Sequence, residues 1–163
     1  MRQVEFVPFK LTEFAEIFSI RLEGKETTEL QEFLIAFKDV DNISLQKDFE
    51  QIIKSLAGIV QEGVKESFFR PEGGIGDRVC AIPLFSSNKS KMHGTLRLYC
   101  IRISNELLIV GGGGLKTTRS YEEDEKLHSH ISILQSIDRE LMNMEREGKN
   151  LPQEIYNLIL YID

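Results

Sequence analysis

The chain has 163 residues, 41% hydrophobic and 28% charged, and its 26 acidic against 20 basic residues give a net charge of −6. That composition excludes a disordered or collagen-like chain and suffices for a single domain with its own core. No apolar stretch approaches the roughly 18 residues of a membrane-spanning helix, and the residues after Met1 lack a signal peptide's apolar region, so a cytoplasmic protein without a membrane partner is expected.

Along the chain, residues 3–9 are rich in β-formers and predict a first strand, with Pro8 marking an edge position or the strand's end. From Glu13 to Leu22 the apolar residues Phe14, Ile17, Phe18 and Leu22 fall at helical spacing, and Gly24 ends the stretch. Thr28 followed by Gln31 forms a capping box, and Leu30, Phe33, Leu34 and Phe37 continue with helical periodicity. A second helix is predicted from about Ser44 to Gly63, with Leu45, Phe49, Ile52, Leu56 and Ile59 on one face, and the two make a helical hairpin. Pro71 to Asp77 is a loop. Three β-like runs follow at Arg78–Leu84, Thr95–Ser104 and Glu106–Val110, and their connections predict an antiparallel meander. Ser120 with Glu123 opens a long helix whose stripe is Leu127, Ile131, Leu134, Ile137, Leu141 and Met144, and Gly148 stops it. The segment from Glu154 to Ile162 is apolar, and a strand is the preferred reading. The predicted class is α+β: an N-terminal strand with a helical hairpin over residues 1–66, a β-meander over 67–119, and a long helix with a C-terminal extension over 120–163.

Charge is unevenly distributed. Between Arg78 and Arg119 seven basic residues stand against the single acid Glu106, so this segment carries +6 and the remainder −12. A basic segment on an acidic chain is compatible with a local anion-binding face. Gly111-Gly112-Gly113-Gly114 precedes Leu115-Lys116-Thr117-Thr118, but Leu115 separates glycine from lysine and the spacing fails the phosphate-loop pattern. The glycine run is read instead as backbone with positive φ or as a place where another chain packs close to the sheet. His128 and His130 diverge on their helix and are read as surface residues. His93, in the polar loop with Lys89 and Lys91, is the imidazole placed for proton transfer. Cys80 and Cys100 lie in apolar runs and are expected to be buried thiols. No metal cluster or cofactor motif is present.

On the strand from Thr95 to Arg102, parity puts Arg97 with Tyr99 and Ile101 on one face and Leu98, Cys100 and Arg102 on the other. Arg97 is expected on an exposed cationic surface, with Tyr99 beside it to stack on a nucleobase.

The succession strand, two helices, meander and helix, with Leu96-Arg97-Leu98-Tyr99, then Glu106-Leu107-Leu108-Ile109-Val110, then Leu115-Lys116-Thr117-Thr118 leading to Tyr121, resembles the RelE/HigB superfamily of toxins from bacterial toxin–antitoxin modules. The resemblance covers about Arg78 to Leu141, and the four glycines stand where that family has an aromatic-containing strand end. It implies a RelE-like fold and a toxin that cuts mRNA in the ribosomal decoding site, with Arg97 and Lys116 at the matching basic positions and Arg78 at an earlier one. A cognate antitoxin and ribosome-bound mRNA are the implied partners, and neither metal nor cofactor is implied. Cleavage of this kind needs activation of a 2′-hydroxyl, cations around a pentavalent phosphorane and protonation of the leaving 5′-oxygen. Arg97, Lys116 and Arg78 fit the second role, and His93 or Tyr121 the proton transfers. Arg78, Lys89, Lys91 and Arg119 are the expected RNA-binding cations, with Arg78, Arg97, Lys116 and Arg119 on one face. The rival reading is a non-enzymatic interaction or regulatory protein that docks through its long helix or an open sheet face.

Overall fold

The computed structural model describes residues 1–74, 76–84, 94–117 and 121–163, with the side chains of 121–124 excepted. Among them the chain is α+β. The elements are β1 (Arg2–Leu11), β2 (Glu16–Leu22), α1 (Glu29–Phe37), α2 (Ile43–Glu62), β3 (Arg70–Pro71), β4 (Val79–Ala81), β5 (Thr95–Arg102), β6 (Leu107–Lys116), α3 (Tyr121–Arg146), α4 (Leu151–Glu154) and β7 (Ile159–Ile162). The strands form one mixed sheet in the order β3-β4-β5-β6-β2-β1-β7. The predicted meander is present as β4, β5 and β6, each antiparallel to the next. The C-terminal segment is a strand at its end, β7, which pairs antiparallel with β1. Pro8 is tolerated because β7 covers β1 only from Arg2 to Glu5, which leaves Pro8 on an open edge beside a register shift.

The segment from Glu16 to Leu22 is a strand, not a helix. β2 lies inside the sheet with β1 antiparallel on one side and β6 parallel on the other. Residues 17–20 are all buried, so the strand is covered on both faces and shows no alternation of burial there, and the spacing of Phe14, Ile17, Phe18 and Leu22 matched a helix by coincidence. The capping box on α1 is present: Gln31 N donates to Thr28 Oγ1 at 3.1 Å and Thr28 N to Gln31 Oε1 at 2.8 Å. The N-terminus proposed at Ser120 lies outside the described residues.

Helices cover both faces of the sheet. On one side α1 and α2 bury Leu30, Phe33, Leu45, Ile52, Leu56 and Ile59 against Ile17, Leu98, Cys100, Leu108 and Val110. On the other, α3 buries Leu127, Leu134, Ile137 and Leu141 against Phe18, Ile20, Tyr99, Ile101 and Ile109. Tyr99 is 3% exposed within that second core, so it supplies packing and is not on a surface where a nucleobase could stack. At about 1.5 Å per residue, α3 spans roughly 39 Å.

Candidate functional site

β6 runs straight through the glycine run. No residue from Gly111 to Gly114 has a positive φ, so the alternative reading, close packing, accounts for them. β5 and β6 change register between Leu98 and Cys100, which pair with Gly113 and Val110, so an extra residue of β6 is accommodated opposite Tyr99. A Cβ on Gly111 would lie 2.8 Å from Leu134 Cδ2, so glycine here lets α3 settle on the sheet.

The strands meet at a branch. β2 and β6 are parallel from Glu16↔Leu107 to Ser19↔Val110 and then separate: β2 stays with β1, and β6 stays with β5. Ser19 is the pin. Its Oγ donates to Val110 O at 2.8 Å and accepts from Leu30 N at 3.2 Å, tying the first turn of α1 to the last parallel pair. From this point β2 leads to α1 on one face and β6 to α3 on the opposite face. In open sheets such a divergence, beyond the carboxyl ends of adjacent parallel strands, is where a ligand crevice forms.

A crevice is present there, in two adjoining lobes of about 390 Å³ and 510 Å³ that share Glu29, Glu32, Lys126 and His130. Phe33, Ala36 and Phe37 of α1 and Leu127 of α3 give the first lobe apolar walls over Gly113, Gly114 and Leu115, while Lys25, Glu23 and Arg2 border the second. Glu29 is 5% exposed. Burial pushes its carboxyl above the usual range; Lys25 pulls it down, and Glu32 adds to the rise. Lys25 Nζ stands 4.0 Å from Glu29 and 3.2 Å from Glu32. His130 is half-buried, against the expectation of a surface histidine, and burial lowers its pKa with help from Lys25 and against Glu32. His128 is exposed as expected. The feature that joins the two groups is Gly112: the position of a Cβ there is 2.5 Å from His130 Nδ1 and 2.9 Å from Glu29 Oε2. Both polar groups therefore converge on the space a side chain would occupy.

The cations predicted from sequence are partly brought together. Lys116 pairs in register with Thr95, and Arg97 with Gly114, so Arg97 and Lys116 stand at the same end of the β5–β6 hairpin. Lys116 is exposed and Arg97 half-exposed. The Arg97 guanidinium donates to Thr95 Oγ1 at 2.8 Å and Leu96 O at 3.2 Å. Asp48 of α2, whose carboxylate accepts from Leu96 N at 3.2 Å, faces that charge; burial holds its pKa up, while the Leu96 bond and Arg97 oppose the rise.

Arg78 is elsewhere. Its backbone carbonyl accepts from Arg102 N at the far end of β5, five residues from Arg97, or roughly 16 Å at about 3.3 Å per residue. Its guanidinium is held 2.8 Å from Asp138, which is fully buried, and 2.9 Å from Glu145, both on α3. Arg102 is likewise engaged, donating from Nε to Val64 O at 3.0 Å and bonding Asn105. Arg78 therefore fastens a helix to the sheet and does not join Arg97 and Lys116 on one face. Lys89, Lys91, His93 and Arg119 lie outside the described residues, as does the side chain of Tyr121.

Sequence reasoning missed Glu29 and His130. The one signal was the glycine run, because four strand positions without Cβ imply that something approaches closely, but it does not say what. Comparison of the chain with protein-family models, with curated proteins and with solved structures finds no match.

Proposed function

We propose that the protein is a RelE/HigB-like toxin that cleaves mRNA on the ribosome, without a metal ion, and is held in check by a cognate antitoxin. The observation that carries this reading is the meeting of Arg97 and Lys116 at one end of the β5–β6 hairpin. The order strands, two helices, meander, long helix supports it. Two cations a strand apart can flank one phosphodiester, and they neutralise the charge that develops when a 2′-oxygen attacks phosphorus and the 5′-oxygen departs. Within this reading His93 or Tyr121 supplies the proton transfers, Lys89, Lys91 and Arg119 contact RNA phosphates, and the site of action is the cytoplasm, where ribosomes are. No helix among the described residues is long and apolar enough to cross a membrane.

The test is expression of the wild-type chain and of Arg97→Glu with Lys116→Glu, with growth and primer extension on cellular mRNA as readouts. The proposal expects growth arrest with breaks inside translated codons for wild type, and neither for the double variant at equal abundance. Absence of both from folded wild type would favour a non-enzymatic interaction protein.

A further inference from the structure

We propose that the crevice beyond the carboxyl ends of β2 and β6 is a binding pocket for a guanine nucleotide. The crevice is divided as such a ligand is. Phe37, Ala36, Leu115 and Leu127 give a flat base apolar walls, buried Glu29 and half-buried His130 stand where the two lobes meet, and exposed Lys126 is at the rim. Its volume of about 390 Å³ falls within the range of small-ligand sites. The Glu29–His130 pair is complementary to guanine's Watson–Crick edge. Guanine alone among the RNA bases presents two adjacent N–H donors, N1–H and N2–H, which a carboxylate accepts side by side, with O6 next to them to accept from an imidazole N–H. Lys126 is placed for the phosphate. Lys25 holds Glu32, and Glu23 and Arg2 lie in the second lobe, so the local charge is balanced without the ligand and the phosphate needs a cation at the rim.

Gly112 makes the pocket. The point above its Cα approached by His130 Nδ1 at 2.5 Å and Glu29 Oε2 at 2.9 Å must stay empty for both groups to face the crevice. A Cβ there meets first the ends of two side chains, His130 and Glu29, which must move away from the crevice to admit it.

As a statement about RNA, the inference rests on the nuclease reading, in which the pocket gives the enzyme a preference for a guanine near the cut. The pocket itself is tested with free nucleotides. Isothermal titration of the full chain with GMP, AMP, UMP and inorganic phosphate is expected to give the tightest binding for GMP, weakened at least about tenfold by Glu29→Gln, which puts an amide donor against guanine's donors. Gly112→Ala is expected to lose GMP binding with its melting transition retained. A single-stranded oligoribonucleotide with one unpaired guanine distinguishes the sources: binding that depends on the guanine identifies RNA, and binding of GMP alone identifies a free nucleotide. Equal binding of all three nucleotides, binding no better than phosphate, or full GMP binding by folded Gly112→Ala overturns the inference. GMP binding by a chain that cleaves no mRNA would remove the nuclease reading and leave the pocket, and cleavage by a chain that binds no GMP would do the reverse.

Discussion

Arg78 separates a structural cation from a functional one. Asp138 is fully buried, and its carboxylate receives Arg78 N at 2.8 Å and Arg78 Nε at 2.8 Å, while the outer guanidinium nitrogen also reaches Glu145 at 2.9 Å. Arg78→Ala keeps the backbone donor and removes the positive charge, stranding a carboxylate between α3 and β4. Breaking a buried pair in this way costs roughly 3–5 kcal/mol. For a chain of this length, where each kcal/mol moves Tm by about 2–4 °C, the loss is about 6–20 °C. Arg78→Lys should recover part of it, since an ammonium cannot span Asp138 and Glu145 as a fork does. Arg78→Met with Asp138→Leu should recover part, because it removes both charges but also takes away the acceptor of the Arg78 backbone N–H. Thermal unfolding followed by circular dichroism measures all three. A shift under about 2 °C for Arg78→Ala would refute the assignment and return Arg78 to the pool of cations available to RNA.

Other consequences can be checked by simple measurements. Leu134, 1% exposed where α3 rests on Gly111, should not tolerate aspartate: Leu134→Asp buries an unpaired charge and should abolish cooperative melting. Burial pushes the Cys80 thiol up to about 12 and Cys100 higher than its ordinary value, so a thiol reagent should label neither until denaturant is added; rapid labelling of native protein would contradict their burial. His130 and Glu29 should bend the pH dependence of stability in opposite senses. The folded state holds the His130 pKa below 6.5, so the unfolded chain binds the proton more readily, stability falls as pH drops below about 6.5, and His130→Gln should flatten that decline. The folded state holds the Glu29 pKa above 4.5, so its cost grows as pH rises above 4.5, and Glu29→Gln should raise Tm more at neutral pH than at about pH 4.

The elements that are legible in the sequence are those whose local chemistry decides them. Thr28 with Gln31 marks a helix start because both halves of the capping box are within one turn, and the α3 stripe is read from its own periodicity. β2 was illegible as a strand because β6 and α3, which close its second edge and one of its faces, come from distant parts of the chain, and burial on both faces removes the alternation a half-buried strand would show. The glycine run announced close approach but not its partners, which are Leu134, His130 and Glu29 from two helices and the β5 backbone at Arg97. Glu29 looks in sequence like an ordinary first-turn acid, and the branching of β2 from β6 buries it. Arg78 was misplaced for a related reason: Asp138 lies 60 positions away, and charge counting along a segment cannot register a pair made across the fold.

The measurement closest to the central proposal is cleavage of a defined mRNA in a purified translation system, read by primer extension, with wild type and the Arg97→Glu, Lys116→Glu variant at matched concentration. The two proteins are compared well below both melting temperatures, because Lys116→Glu changes an exposed charge at little cost whereas Arg97→Glu removes the cation that faces buried Asp48 and lowers stability. The account predicts ribosome-dependent breaks for wild type and none for the variant. Intact mRNA with folded wild type, or breaks that persist in the variant, would contradict it.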